Sequence, residues 1–155
     1  MSAMRGAEPQ DLLQLLTRAE RLAVRRLQQV LSSTGSGLSV DGWRVLALLS
    51  DGAGHRMTAV ADCVFLPPAS LTKLMDQLVD QGLVHRRVDP LDRRRILAYP
   101  TPRGRELWAE VDARLGEEWA RAGVLPDADL LAPLLGRLAE GLAGQMGVLP
   151  VDQSH

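Results

Sequence analysis

Residues 67–104 have the sequence PPASLTKLMDQLVDQGLVHRRVDPLDRRRILAYPTPRG, and two structural elements are predicted within them. The first is a short amphipathic helix. Pro67 and Pro68 can begin it, because an N–H group in the first helical turn has no intrahelical partner to lose. Gly82 is predicted to end the helix. The buried stripe follows the i, i+3, i+4, i+7 spacing and consists of Leu71, Leu74, Met75, Leu78 and Val79. The opposite, polar face carries Ser70, Thr72, Lys73, Asp76, Gln77 and Asp80.

The second element is a β-hairpin with a basic tip. Two short strands are predicted at 84–87 and 95–99, on either side of a loop at 88–92 that has Arg93 and Arg94 beside it. Pro100 cannot donate to a β-ladder, so the second strand is expected to end there or to lie at an edge. A helix with a polar outer face, followed at once by a basic hairpin, fits two adjacent grooves of DNA. We therefore predict a mostly α fold with a small β-hairpin wing, a winged helix-turn-helix.

At these residues the chain resembles the MarR family of bacterial transcription regulators. Four short motifs carry the resemblance: LTKLMD at 71–76, GLVHR at 82–86, DPLDRR at 89–94, and the closing Thr-x-x-Gly at 101–104. Each motif is unspecific alone, but the four in this order and at these separations form a specific pattern. Pro100 departs from the family, which usually has an apolar strand residue there. The resemblance implies a homodimer whose N- and C-terminal helices intertwine.

The whole chain can be divided on this basis. One MarR-like domain is expected over 10–150, after a flexible tail at 1–9. Within it, 38–101 is the predicted DNA-binding lobe, and 10–32 and 102–147 are the predicted dimerisation helices. The first of these helices is more apolar than one neighbouring element requires, which favours a partner subunit. Its leucines are Leu12, Leu13, Leu15, Leu16, Leu22, Leu27 and Leu31.

Helix starts are predicted from capping residues. Ser39, Thr58 and Thr101 are the candidate N-caps of three successive helices, and Pro102 follows Thr101 at the favoured first helical position. The last helix is expected to start near Asp127. Pro133 lies either in its first turn, where it is tolerated, or deeper, where it would kink the helix.

The net charge of −1 is unevenly distributed along the chain. Residues 1–105 hold 15 basic and 10 acidic side chains, whereas residues 106–155 hold 3 basic and 9 acidic ones. Within 85–105 there are seven arginines against only Asp89 and Asp92. The positive charge is therefore concentrated at the predicted groove-binding elements, as a nucleic-acid-binding surface requires.

Composition excludes several classes of protein. The 155 residues suffice for one domain with a real core, and no run approaches the length of a membrane span. The N-terminal sequence lacks the layout of a signal peptide, so a soluble, cytoplasmic protein without a membrane partner is expected. The single cysteine excludes an intrachain disulfide. His55, His85 and His155 have no metal-ligand spacing, so neither a metal nor another cofactor is expected.

Candidate DNA-binding residues follow from this placement. Ser70, Thr72, Lys73 and Gln77, with Pro68 at the helix start, are expected to face base edges and phosphates, since glutamine can bind adenine bidentately. In the wing, one arginine can brace the loop through an aspartate while another enters a narrow minor groove. The resemblance favours Arg94 for the groove, then Arg93, with Arg95 on a phosphate. Arg86 has either a structural or a phosphate-binding role, and Asp76 is expected to position a neighbouring cation.

Tryptophan and cysteine residues are the candidates for small-molecule binding and for redox sensing. Many MarR relatives bind phenolic or other aromatic anions, so the resemblance implies an aromatic or anionic effector. Trp43 and Trp108 are candidates for the border of its pocket, with core packing as the alternative.

Some relatives also sense oxidants through a thiol near the N-terminus. No basic cluster adjoins Cys63 in sequence to lower its pKa, so we expect it to be a half-buried apolar residue.

The sequence therefore predicts a sequence-specific double-stranded DNA-binding regulator, a ligand-responsive repressor acting as a homodimer on a pseudo-palindromic operator. One alternative is a winged-helix module that contacts protein and not DNA. An enzyme is disfavoured, because no nucleophile–base pair, phosphate-binding glycine loop or metal cluster is present in the sequence.

Overall fold

The computed structural model describes residues 8–146, without the side chains of Gln145 and Met146. The predicted tail at 1–9 thus lies almost entirely outside the described residues, as do 147–150. The helices are α1 (Pro9–Thr34), α2 (Val40–Leu49), α3 (Met57–Val64), α4 (Pro68–Asp80), α5 (Pro102–Arg121) and α6 (Ala128–Met146), with a 3-10 turn at Leu125–Asp127. The strands are β1 (His55–Arg56), β2 (Val84–Val88) and β3 (Ile96–Pro100).

The described chain consists of two compact units, one ending at Leu115 and the other beginning at Gly116. The first unit holds the hydrophobic core. Every one of its elements contributes to that core except β1, and the central side chains are fully buried: Val45, Leu46, Leu49, Val60, Met75, Leu78, Leu83, Val84 and Val111. The fold is a mostly α winged helix, as predicted.

Helix α4 has the amphipathic character that its spacing predicts. Leu71, Leu74, Met75 and Leu78 are buried, while the polar residues of the opposite face are all exposed. The helix starts at Pro68, with Pro67 at its cap position. After the helix, Gly82 adopts a φ of +68°, which glycine tolerates without the steric cost of a Cβ.

The wing sheet has three strands, not the two of a simple hairpin. Its order is β1-β3-β2 and both pairings are antiparallel, with His85 opposite Tyr99 and Arg56 opposite Leu97. Strand β1 was not predicted. The prediction of Thr58 as an N-cap was wrong, because pairing with β3 holds His55 and Arg56 extended and the helix begins directly after them, with Arg56 at its cap.

Two predicted caps are present. The Ser39 hydroxyl accepts a hydrogen bond from the Gly42 N–H at 3.0 Å. The Thr101 hydroxyl accepts one from the Gly104 N–H at 2.9 Å and donates one to the Gly82 carbonyl at 2.6 Å. Thr101 therefore joins the end of the wing, the start of α5 and the turn after α4. Strand β3 ends at Pro100, one of the two positions expected of that proline.

The second unit contains the end of α5, the 3-10 turn and α6. Pro133 is the sixth residue of α6 and lies inside the helix, so the deeper of its two possible positions is the observed one. Its ring removes one backbone donor from the helix interior. Five leucines of α6 are exposed, and Leu138 is half-buried: the exposed ones are Leu130, Leu131, Leu134, Leu135 and Leu142.

Candidate nucleic-acid interface

The outer face of α4 presents side chains that can donate and accept hydrogen bonds. The side chains of Ser70, Lys73 and Gln77 are exposed and make no hydrogen bond to any described residue. The Thr72 hydroxyl donates to the Pro68 carbonyl at 2.9 Å, so its oxygen remains available mainly as an acceptor. The predicted contact residues of this helix thus lie on one solvent-facing surface, with their polar groups uncommitted or only partly committed.

Asp76 connects α4 to the wing. Its carboxylate Oδ1 lies 2.7 Å from a guanidinium nitrogen of Arg86 on β2, in a hydrogen-bonded ion pair. Arg86 therefore has a structural partner, and Asp76 positions a cation as its sequence context suggested. The pair links β2 to the helix beside it at the protein surface.

Aspartates shape the loop at the wing tip. Asp89 is buried, its carboxylate accepts the Leu91 N–H at 2.9 Å, and its own N–H donates to the Arg95 carbonyl at 2.9 Å. The Asp92 carboxylate accepts the Arg94 N–H at 3.1 Å. Such aspartate-to-backbone bonds favour tight turns over extended chain. The carboxylates of Asp89 and Asp92 therefore hold the wing-tip loop in a tight turn.

The three wing arginines differ in their surroundings. The Arg95 Nε lies 3.0 Å from the Asp92 carboxylate, so this side chain braces the loop. Arg93 and Arg94 are exposed and form no ion pair with any residue in the described range. The structure therefore separates Arg95, which is ion-paired, from Arg93 and Arg94, which are not. The sequence alone could not predict which of three consecutive arginines would be paired.

A cluster of basic and aromatic side chains on β2 and β3 was not predicted from the sequence. The His85 and Tyr99 rings stack with centroids 5.5 Å apart, and the Arg87 guanidinium lies 5.9 Å from the Tyr99 ring centroid. Residues 85 and 87 share a face of β2 because strand side chains alternate. Finding this group from sequence would have required the register of the two strands.

The two candidate pocket residues are half-buried and pack against the core. The indole N–H groups of Trp43 and Trp108 are both buried without a hydrogen-bond partner among the described residues. A buried donor left unpaired costs about 1–3 kcal/mol. Both tryptophans thus pack against the core while their donors lack an acceptor among the described residues.

Cys63 is exposed, so its prediction as a half-buried apolar residue was wrong. The short helix α3 turns Val60 and Val64 towards the core and leaves Cys63 at the solvent side. No group of three or more acidic, histidine or cysteine residues in the described chain is placed to hold a metal ion, and His155 lies outside that range. None of the described helices is long and apolar enough to cross a membrane.

Comparison with known proteins matches this arrangement to one family. The family model described as MarR family matches residues 36–95, which run from the linker before α2 to the wing arginines. Over these residues the chain is similar to the MarR family. The described residues have the winged-helix fold of the MarR structures that they match.

Individual MarR relatives cover most of this chain. A putative transcriptional regulatory protein for the hcr operon of Thauera aromatica is 28% identical over 126 residues, which are 79% of this chain and 75% of the relative. The crystal structure of CouR from Rhodococcus jostii bound to p-coumaroyl-CoA is 28% identical, covers 90% of this chain and 96% of its own, and has a TM-score of 0.72. The transcriptional repressor CouR bound to a 23-mer DNA duplex is 25% identical, covers 90% and 98%, and has a TM-score of 0.68.

Proposed function

We propose that this chain is a MarR-family transcriptional regulator, a homodimeric, ligand-responsive repressor that acts in the cytoplasm on a pseudo-palindromic DNA operator. The observation that carries the proposal is the ion pair between Asp76 and Arg86, since it joins a helix with an uncommitted polar face to a wing with two uncommitted arginines. The 25% identical relative CouR has been crystallised as a repressor on a DNA duplex, which supports the same activity here.

In this proposal α4 lies in the major groove and the wing lies in the adjacent minor groove. Ser70, Thr72, Lys73 and Gln77 contact base edges and phosphates, with Pro68 close to the backbone at the helix start. Arg94, and after it Arg93, enters the minor groove, where a narrow groove has an enhanced negative potential. Phosphate contacts then set affinity and register, whereas base and groove contacts set the sequence preference.

The apolar surface of α1 supports dimerisation. Helix α1 is amphipathic, yet part of its apolar surface is not covered. Its exposed leucines are Leu12, Leu13, Leu15 and Leu22. The second unit exposes leucines on α6, and residues 106–155 are acidic where residues 1–105 are basic. We propose that helices 10–32 and 102–147 pack against a second copy, which buries both apolar surfaces and pairs opposite charges.

A twofold dimer fixes the form of the operator. Two α4 helices related by the twofold would bind half-sites about 10 bp apart, one turn of the double helix. The operator is then an inverted repeat.

The effector proposal rests on Trp43 and Trp108. Their indole N–H groups have no acceptor among the residues that the structure describes, and a carboxylate or a carbonyl oxygen on an aromatic ligand would supply one. The 28% identical CouR binds p-coumaroyl-CoA, an aromatic acyl thioester. We propose an aromatic acid or its thioester as the effector. It releases the operator only if it binds the released form more tightly than the DNA-bound form.

The DNA proposal is tested by in vitro selection from a random duplex pool at near-physiological salt. Enrichment of an inverted repeat, with an affinity that falls steeply as salt is raised, is the expected result. If no sequence is enriched, the protein is a winged-helix module for a protein partner.

The effector proposal is tested by titrating aromatic acids and their thioesters while the indole fluorescence is followed. Trp43→Phe and Trp108→Phe keep an aromatic ring but lose the donor, so each is expected to weaken binding, while Trp119→Phe, which loses the same atoms, serves as the matched control. A compound that binds but leaves operator affinity unchanged is excluded as the effector.

A further inference from the structure

Phe65 has an unusual position in the turn between α3 and α4. It is the only phenylalanine in the chain, and its side chain is 86% exposed. Its backbone has φ +54° and ψ +38°, the left-handed conformation, and it follows the last residue of α3. Among the described residues, no other non-glycine residue has a positive φ.

Two features of this position work against the folded state. A left-handed backbone is sterically unfavourable for an L-residue with a bulky side chain, and glycine or asparagine accommodates it far better. An exposed aromatic ring also gains little from folding, because almost none of its apolar surface is removed from water. Packing against the described residues compensates neither cost, since Phe65 is almost fully exposed. A conformational outlier of this kind is a reason to look for a role outside the fold.

The location of Phe65 indicates where such a role lies. It is two residues before Pro67, the residue at the cap position of α4. In helix-turn-helix docking the first residues of the second helix contact base edges, so the turn before it lies at the edge of the major groove. Pro67, Pro68, Ala69 and Ser70 are exposed, and the first turn of α4 has no acidic residue that would repel phosphate.

The chemistry of the side chain restricts what it can contact in DNA. A phenyl ring neither donates nor accepts a conventional hydrogen bond, so it cannot distinguish bases by their polar edges. The apolar group that a base pair presents in the major groove is the thymine 5-methyl, and phenylalanine is among the residues that contact it.

We propose that Phe65 is a specificity-determining residue that packs against a thymine 5-methyl group at one edge of each half-site. The proposal rests on the proposed function, since it requires double-stranded DNA as the partner. It adds to the α4 face an apolar contact from the turn outside the helix.

The test combines a change in the protein with a change in the DNA. The wild-type operator is first found by selection, and each thymine near the ends of the half-sites is then replaced by uracil, which removes only the methyl group. Loss of one buried methyl contact is expected to weaken wild-type binding about four-fold at one such position. Phe65→Gly is expected to bind the thymine operator more weakly and to show no discrimination between thymine and uracil at that position.

Folding and binding effects separate cleanly in this design. Phe65→Gly and Phe65→Asn relieve the left-handed backbone, so their unfolding temperatures should equal or exceed that of the wild type, and weaker binding cannot then come from unfolding. Phe65→Leu, which retains an apolar side chain, should keep part of the thymine preference and serves as the matched control.

Three outcomes would overturn the inference. In the first, Phe65→Gly retains the affinity, the selected sequence and the uracil sensitivity of the wild type. In the second, the selected half-site has no thymine whose methyl group matters to the wild type. In the third, the wild-type protein enriches no DNA sequence, and only this result would also overturn the proposed function.

Discussion

The guanidinium of Arg86 lies 2.7 Å from the carboxylate of Asp76, and this contact joins α4 to β2 across ten positions of sequence. The side chains are 34% and 54% exposed, so solvent screens the attraction and its direct contribution to stability is small. Its importance lies in orientation. It holds the wing in a fixed relation to the helix that we propose enters the neighbouring groove.

Breaking this pair is expected to cost more in DNA binding than in stability. Asp76→Asn and Arg86→Gln should each lower the free energy of unfolding by less than about 1 kcal/mol, and a double-mutant cycle should give a coupling of about 0.2–1 kcal/mol. Both should weaken operator binding to a similar extent, and the double variant should bind no worse than either, because the pair is already lost. Binding isotherms of all four proteins at one salt concentration provide the measurement.

If Arg86 instead served chiefly as a phosphate contact, the two single variants would differ. Arg86→Gln alone would then weaken binding and reduce the salt dependence by about one phosphate equivalent, while Asp76→Asn would strengthen binding by removing a negative charge.

The wing arginines are expected to differ in salt dependence. Arg93→Ala and Arg94→Ala should each weaken binding and make the plot of log affinity against log salt shallower by about 0.9, because each removes one positive charge that displaces a counterion from the DNA. Arg95→Ala should change this slope less, since Asp92 already balances that charge. Arg103→Ala, outside the wing, is the matched control. Equal slopes for all four variants would contradict the distinction among the wing arginines.

Gly104 is expected to be intolerant of any side chain. A Cβ at this position would overlap the Leu83 carbonyl oxygen, which is a backbone atom and cannot move aside as a side chain can. The same carbonyl accepts the Thr101 N–H at 3.0 Å. Gly104→Ala should therefore lower the free energy of unfolding by about 1–3 kcal/mol in urea denaturation at fixed protein concentration.

Gly116 supplies the matched control for Gly104 on the same helix. No described atom lies within 4 Å of a Cβ built there, so Gly116→Ala should raise stability by up to about 1 kcal/mol through helix propensity. Similar losses in both variants would show that the close approach of α5 to Leu83 is not what makes residue 104 sensitive.

Acid stability is expected to depend on Asp51. The backbone N–H of Ala53 and, after it, the ring of His55 at 2.9 Å donate to this carboxylate and hold its pKa below the ordinary value. A depressed carboxyl pKa stabilises the fold above the unfolded-state pKa, and the contribution is lost as the pH falls through the folded-state value. Asp51→Asn should therefore be less stable than the wild type near pH 6.

The same variant gives a pH-dependent difference. Urea denaturation between pH 6 and pH 2 should show the gap between the wild type and Asp51→Asn narrowing below about pH 4, as the pH falls from the unfolded-state pKa towards the lower pKa of the folded carboxyl group. A gap that stays constant over this range would show that the hydrogen bonds to Asp51 do not favour its ionised form.

Dimerisation is expected to depend on the exposed leucines of α1. Leu22→Glu places a charge in the surface that we propose to be buried, and should weaken the dimer at least about thirtyfold, with a parallel loss of operator affinity. Sedimentation equilibrium measures the dimer constant. Leu91→Glu is the control, because Leu91 is 95% exposed at the wing tip and its charge should leave the mass unchanged. A dimer unaffected by Leu22→Glu would place the partner contact elsewhere.

The features of this protein that follow from its sequence are those set by neighbouring residues. The buried stripe of α4, the turn at Gly82, the cap at Ser39 and the cap at Thr101 were all predicted, because helical spacing and capping depend on residues within about four positions of one another. The basic hairpin was predicted for the same reason, since an aspartate-rich loop and its flanking strands are contiguous.

The remaining features depend on which distant segments meet. Strand β1 consists of two residues that are extended only because β3 pairs with them some forty positions later. The rotation of α3, which exposes Cys63, is set by the core that surrounds Val60 and Val64. Three other features likewise depend on the folded arrangement. Arg95 is the arginine that braces the wing loop, Arg86 is the partner of Asp76, and Phe65 has a left-handed backbone. Sequence spacing predicts local conformation, whereas these contacts exist only after chain closure has brought the separated segments together.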